Sequence, residues 1–483
     1  MKLDEAFTEI NRIHCFGYSP VSGSTKPAHI ANGWFRRLLG KVYDAELLNR
    51  TVIHRTKGTE VNPSDALLTE FPEIFGPFRS ESKRREFTDL RADLKALVSP
   101  YGGAVNKGNT RSSYNVTCSE FLTRDFAENS VGAFLYHLVE TDFGDGPCGI
   151  GDLVRTILQD RGDEISTVCF PLVSGCQAYE VPEGSYAASN VFKRKNRQFA
   201  SATLRNLRQG FEHLDVFERE HGGGLDALRR IVAFGVFSVL LHMANRYGEI
   251  NGRKDPIPQL LYFQGRHRTT VYQASHYTHS LVRQQIESLY TQQLRQQIVD
   301  RIGNRPTVKK CERLVEDVSF KAEAKIRKQL QRTFGAYQDQ REPVDALAEA
   351  LRDVLFRNLK GTPVDFFRGI GVRVGFLRPA GNRAIRKYYT LEGVLMEAVL
   401  ASLLPEGRIA FRELLNRLYD RYGLLTGGRP EDSRILLSAG IGQATVEDLR
   451  ANANALRQQL VALGWGRQYA DSVMYVQAPE GIQ

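Results

Sequence analysis

Most of the residues in this chain that could do chemistry are basic, and they are gathered in tracts. Val191 to Gly210 carries Lys193, Arg194, Lys195, Arg197, Arg205 and Arg208 with no acid among them, and Phe192 and Phe199 are interleaved. Cations that neutralise phosphates beside aromatic rings that stack on bases are what a nucleic-acid binder needs. A solvated basic loop or helix face has the same composition. A second tract, Arg305 to Arg332, holds nine Lys or Arg against four acids. It suits a helix lying along a phosphate backbone, but a surface helix laced by i,i+4 ion pairs is the reading its composition favours. Arg378, Arg383, Arg386 and Lys387 form a third group, with backbone contacts or a solvated linker as equal alternatives.

The other constellations point away from catalysis. Gly144, Gly146 and Gly149 spell G-x-G-x-x-G, but a dinucleotide loop needs a preceding parallel strand and an open helix N-terminus. Here Phe134 to Glu140 reads as helix, Pro147 stiffens the loop, and Asp142, Asp145 and Asp152 repel phosphate. A glycine-rich turn with Asp at a helix N-cap is the expectation. There is no G-x-x-x-x-G-K-[ST], no G-x-S-x-G, and no His-Arg-Asp loop to accompany Asp142-Phe143-Gly144. A metal-dependent nuclease of the restriction type needs paired carboxylates with a lysine. Glu70, Glu73, Asp89 and Lys95 supply the residue types, without the strand that should carry them.

The six cysteines have no C-x-x-C spacing and read as reduced thiols. His276 and His279 share a face if their segment is helical, with His267 nearby, but no carboxylate lies between residues 256 and 286, so solvated or capping histidines are expected. His242, inside an apolar run, reads as a core histidine. Neither a cofactor, nor a metal, nor a catalytic residue is expected.

The elements that position these residues follow from composition and breakers. The chain has 483 residues, 42% apolar and 25% charged, enough for two to four domains. Lys plus Arg exceed Asp plus Glu by 65 − 55 = 10, a balance that favours a polyanionic partner such as DNA. The longest mainly apolar run, Ile231 to Met243, is too short to span a bilayer, and the amino terminus has no apolar leader, so a cytoplasmic protein without a membrane segment is expected. The fold class read from the pattern is mainly α, with a smaller α+β part at the amino terminus and a winged-helix module at the carboxy terminus.

Residues 1–215 read as a mixed domain with helical pieces at Asp89–Val98 and Phe121–Glu140 and a strand-like run at Ile165–Val173. Residues 225–340 read as long helices: a buried Leu225–Tyr247, an amphipathic Thr270–Ile302, and another from Thr307 to Phe334, the last two antiparallel. Residues 341–483 begin with an amphipathic Val344–Leu359 and a glycine-rich stretch, GIGVRVGFLRPAGN. Three helices then precede two short strand-like runs around Ala470-Asp471-Ser472, the order of a winged helix, from residue 385 onward. Its third helix, from Thr445 to Leu463, carries Arg450, Asn452, Asn454, Arg457 and Gln458, side chains suited to base edges. Glu447 and Asp448 oppose phosphate at its start, so contact with another protein is as strong an expectation as DNA reading.

Several segments carry a resemblance. His242-Met-Ala-Asn-Arg-Tyr-Gly, Pro256-Ile-Pro-Gln-Leu-Leu, Ala274-Ser-His, Arg386-Lys-Tyr-Tyr-Thr-Leu and Leu418-Tyr-Asp-Arg-Tyr-Gly-Leu resemble accessory proteins of bacterial anti-phage operons. These accompany a HerA-like motor ATPase, as in phosphorothioation-dependent restriction. The resemblance covers roughly the second half of the chain and includes no catalytic motif. It implies a non-catalytic, DNA-associated or assembly subunit of a defence complex, with other complex subunits and DNA as partners. A nuclease or other effector activity in the amino-terminal half is the alternative.

Overall fold

A computed structural model of the chain describes residues 10–479 except 21–24, 44–67, 99–117, 125–127, 145, 161, 163–166, 168–169, 171–172, 174–175, 182–189, 254, 266–268, 318–323, 359–360, 381–385, 406, 443 and 470–472. The described residues are mainly helical, as the sequence predicts, and strands are confined to pieces of two to four residues. The helices used below are, in the first half, α1 (Pro27–Leu39), α2 (Arg84–Val98), α3 (Val131–Glu140), α4 (Ile150–Gln159), α5 (Ala202–His221) and α6 (Gly224–Ile250). Then follow α7 (Thr270–Ile302), α8 (Val308–Asp317), α9 (Ala324–Gln338), α10 (Pro343–Asn358) and α11 (Pro363–Val374). The last four are α12 (Val394–Ala401), α13 (Phe411–Tyr422), α14 (Asp432–Ser438) and α15 (Val446–Ala462).

Helix α6 is the axis of the packing. Its sequence is apolar around most of its circumference, and it is buried accordingly, touching α1, α3, α4, α5, α7, α11 and α12. By length and composition it could cross a membrane, but 89% of its most apolar window is buried inside the protein. The glycines at 222–224 turn the chain from α5 back into α6. Glu218 on α5 and Arg230 on α6 close this hairpin with two parallel hydrogen bonds of 2.6 and 2.8 Å, both side chains buried. A single cluster of buried apolar residues runs from Ile10 to Val476 and draws on all three sequence segments. Helices α1 and α3 cross at Gly33 and Gly132, where a Cβ on Gly132 would lie 2.2 Å from the Gly33 carbonyl carbon; only glycine permits this approach.

The strands pair locally or across the chain. β1 (Lys41–Tyr43) pairs antiparallel with β2 (Ala178–Glu180), and β3 (Arg194–Lys195) with β4 (Gln198–Phe199). β5 (Gln259–Leu260) is paired in parallel by β9 (Leu424–Leu425), which ties the carboxy-terminal segment to the entry of α7. β6 (Leu377–Arg378) pairs with β7 (Tyr388–Tyr389). β8 (Arg408–Ala410) joins the hairpin of β10 (Gly466–Gln468) and β11 (Met474–Gln477) in an antiparallel sheet ordered β10-β11-β8.

Several expectations need correction. The single helix from Thr307 to Phe334 is described as two, α8 and α9, with 318–323 outside the described residues. The helix expected from Phe121 begins at Val131, after a 3-10 turn at Ser119–Phe121. In the strand-like run 165–173 only Thr167, Phe170 and Val173 are described, and they are helical. The glycine-rich stretch after residue 368 begins as helix, through Val374, and continues into the strand Leu377–Arg378: α11 is started by Thr362, whose side chain accepts from the Asp365 amide while Asp365 accepts from the Thr362 amide, with Pro363 in the first turn.

Candidate nucleic-acid interface

The first basic tract folds into a hairpin followed by a helix. Asn196 and Arg197 connect β3 to β4 as a two-residue loop, both with positive φ (50° and 56°), the conformation whose twist matches a tight antiparallel hairpin. The Ala200 amide donates to the Lys193 carbonyl at 2.8 Å and closes the ladder. Lys193, Arg194, Lys195 and Arg197 are all exposed, and none forms an ion pair among the described residues. Some surface arginines elsewhere are paired, Arg219 with Asp215, Arg229 with Asp226, Arg283 with Glu287 and Arg295 with Asp345, whereas Arg84, Arg301, Arg412 and Arg434 are exposed without an ion pair among the described residues.

The aromatic residues of the tract point inward. Phe199 is 1% exposed, meets Phe143 edge-on at 4.7 Å and lies against Phe192, which packs on Phe134. This corrects the expectation of base stacking: the rings anchor the hairpin and leave it cations alone to offer. Arg205 is exposed, and its Nη1 donates to the Phe199 and Ala200 carbonyls at 2.6 and 3.1 Å, bracing the hairpin from α5.

Arg208 is not a surface cation. It is 8% exposed, and its guanidinium donates to the carbonyls of Leu138, Val139, Thr141 and Gly146, satisfying the last turn of α3. A basic residue in a basic tract is here a helix cap, which the sequence had no local way to reveal.

The glycine loop lies beside the hairpin. Asp142 Oδ1 accepts from the amides of Gly144 and Gly146 at 2.6 and 3.0 Å, so a carboxylate of the chain itself fills the concavity that a phosphate would need. These amides, with Arg208 and Arg194 nearby, hold the Asp142 carboxyl below its ordinary range. The loop is a glycine-rich turn, as expected, but no Asp caps the following helix: Gly149 stands at the N-cap of α4 with no side-chain cap bond, and Asp142 serves instead as an internal anion.

The third group divides. Arg386 is exposed, Arg383 lies outside the described residues, and Lys387 is buried with its ammonium donating to the Pro379 carbonyl. Burial, with Arg368 and Arg378 nearby, pushes Lys387 below the usual lysine range. Arg378 pairs with Glu392. Lys387 thus belongs to the interior, where its carbonyl also meets His276 Nδ1 at 3.2 Å.

On α15, Arg450, Asn454 and Gln458 are exposed and Arg457 is half-buried. Asn452 is fully buried: its amide nitrogen donates to the Leu261 and Thr426 carbonyls at 2.8 and 2.7 Å, and its oxygen accepts from the Phe263 amide at 2.8 Å. This corrects its reading as a base-edge residue. Asp448 accepts from the Thr270 amide at 2.9 Å, so the acid at the start of α15 serves the first turn of α7. Thr445 caps α15 by accepting from the Asp448 amide at 3.2 Å, but the carboxylate does not return the bond as a capping box would. Trp465, Met474 and Val476 are buried, Trp465 stacking on Phe217 at 5.8 Å, and Tyr469 is 44% exposed.

The nuclease residues do not assemble. Glu70, Glu73 and Asp89 are exposed on helical segments, and the Lys95 side chain lies outside the described residues. Among the described residues no three His, Cys, Asp or Glu groups lie close enough to hold a metal ion. His242 and His279 are buried and neutral, each pushed down to about 3, chiefly by burial. A cleft of about 380 Å³ between α7, α10 and α11 presents Arg283, Arg352 and Arg368, but Glu287, Asp353 and Asp365 pair with them. The hairpin is therefore the best-formed cationic site within the first tract. No family model, no curated protein and no solved structure matches the chain.

Proposed function

We propose that this chain is a non-catalytic, nucleic-acid-associated assembly subunit that grips a phosphate backbone through the 193–199 hairpin. One observation carries the reading: four exposed cations sit together on a braced two-stranded scaffold with no ion pair among the described residues and no acid in their tract. Rings buried beneath the hairpin, rather than offered to bases, favour backbone contact with weak sequence preference.

Residues 1–215 are read as an α+β part and 385–483 as a winged helix. The order α12, β8, α13, β9, α14, α15, β10, β11, with β9 and α14 added between the second and third helices of such a module, and the sheet order β10-β11-β8 support the second reading. In such a module α15 would be the helix that reads DNA, but Asn452 and Asp448 are spent on the fold, and Arg450 is balanced by Glu447 on the exposed face. Contact with another subunit is the role this favours. The resemblance in the second half extends the proposal to a bacterial anti-phage complex with a HerA-like ATPase as partner.

The test is a mobility-shift titration of the full chain against random-sequence duplex DNA. Affinity should fall when Lys193, Arg194, Lys195 and Arg197 are replaced together by Ala, with the melting curve unchanged. Reversing Arg450 to Glu should leave DNA binding intact and weaken capture of the ATPase. Unchanged DNA affinity in the hairpin variant would overturn the reading.

A further inference from the structure

We propose that the outward face of α9 is a second phosphate-contact surface, taking the backbone of a nucleic acid independently of the hairpin. The proposal shares its ligand class with the reading above but rests on different residues. Helix α9 contains Lys325, Arg327, Lys328 and Arg332 and no Asp or Glu. Lys325, Lys328 and Arg332 are spaced i, i+3, i+7 and so share one face, spread over roughly 10 Å of helix at about 1.5 Å per residue.

The opposite face is apolar. Leu330 and Phe334 are buried, with Ile326 and Tyr337 packed beside them, and α10 is the neighbour they seat against. The helix is thereby held so that its cationic stripe faces out. All four cations are exposed, and none has a carboxylate within ion-pair distance among the described residues. Of the four acids of the wider tract, the side chains of Glu316, Asp317 and Glu323 lie outside the described residues. The adjoining α10 shows the other habit: its Arg352 pairs with Asp353, and its Asp345 pairs with Arg295 of α7. Lys328 and Arg332 are like charges at i,i+4, an arrangement that costs a lone helix stability and is relieved by a bound polyanion. Lys309 and Arg313 on the neighbouring α8 are also exposed, one turn apart.

The chemistry of the face selects among polyanions. A helix that docks on a lipid surface needs apolar side chains to insert, and a protein interface draws its energy from aromatic or aliphatic anchors. No large apolar side chain of α9 is exposed. A row of cations without anchors fits a phosphate backbone, whose binding energy comes from released counterions.

The experiment uses the full chain carrying Lys325→Gln, Lys328→Gln and Arg332→Gln, which removes charge and keeps helix propensity, beside the hairpin variant and wild type. Each is titrated with a short random-sequence DNA duplex by fluorescence anisotropy across a salt series. A parallel arm uses phosphatidylserine–phosphatidylcholine vesicles. The α9 variant should bind the duplex more weakly at low salt, and its log–log salt slope should shrink by roughly three, about 0.9 for each phosphate left unneutralised. Arg332→Lys, which keeps the charge, should bind as wild type. Wild-type affinity and slope in the α9 variant, with the hairpin variant weakened, overturns this proposal and leaves the hairpin reading standing. The reverse pattern supports this proposal and overturns the hairpin. Loss of vesicle binding alone, or no duplex binding by wild type, overturns it as well.

Discussion

The Arg194 guanidinium lies 5.5 Å from the centre of the Phe143 ring, and Arg208 approaches the same ring to 5.2 Å from α5. One aromatic side chain in the glycine loop thus links an exposed cation of the hairpin to a cation buried in the fold. The pairing explains how a short hairpin of two-residue strands keeps a fixed position: Phe143 and Phe199 form the floor, and Arg205 and Arg208 tie the surrounding carbonyls.

Arg208 and Arg197 come from one basic tract but should respond oppositely to substitution. Arg208→Ala leaves the carbonyls of α3's last turn without donors in a buried site, a loss of about 2–4 kcal/mol, read as a lowered midpoint in urea unfolding. An unchanged midpoint with reduced DNA affinity would return Arg208 to the ligand-binding set.

Arg197 holds a left-handed backbone (φ 56°) that a side chain disfavours by about 1 kcal/mol and glycine adopts freely. Arg197→Gly should stabilise the protein by roughly 0.5–1 kcal/mol while weakening DNA binding. Such an opposition of stability and affinity marks a residue kept for its charge; loss of stability together with unchanged affinity would contradict it.

The two buried histidines make stability acid-sensitive. Burial lowers His242 and His279 to about 3 in the folded chain, against about 6.5 when unfolded. The neutral imidazoles therefore contribute fully above about pH 6.5, and the contribution is lost as pH falls towards about 3, each costing roughly 1–2 kcal/mol by about pH 5. His279→Gln should flatten the fall in melting temperature across that window relative to wild type. Parallel curves would show that this residue does not set the acid response.

Much of the helical framework was legible in the sequence. Thr270–Ile302 matches α7 residue for residue because it runs without Gly or Pro between a Thr cap and a glycine stop. The burial of α6 followed from its apolar circumference. Helix α11 was missed because its glycines suggest a loop, although Thr362-Pro363 with Asp365 is a helix-start signature. At the interface, composition located the 193–197 cations but could not separate them from Arg208, whose partners sit about 70 residues away in α3. Asn452 was misread for the same reason, since Leu261 meets it only in the folded chain. The long-range contacts also make removal of residues 385–483 a poor probe: Leu424 and Leu425 pair with Gln259 and Leu260, and Trp465 stacks on Phe217, so truncation would strip the core.

The most direct measurement is the salt dependence of duplex DNA binding by the full chain and by the variant with Lys193, Arg194, Lys195 and Arg197 replaced by Ala. Wild type is expected to bind at low salt and weaken steeply as salt rises, with a slope that falls by roughly three to four in the variant, about 0.9 for each phosphate left unneutralised. Binding that ignores salt, no binding at low salt, or equal slopes for the two proteins would contradict the assignment of the hairpin as a phosphate-backbone grip.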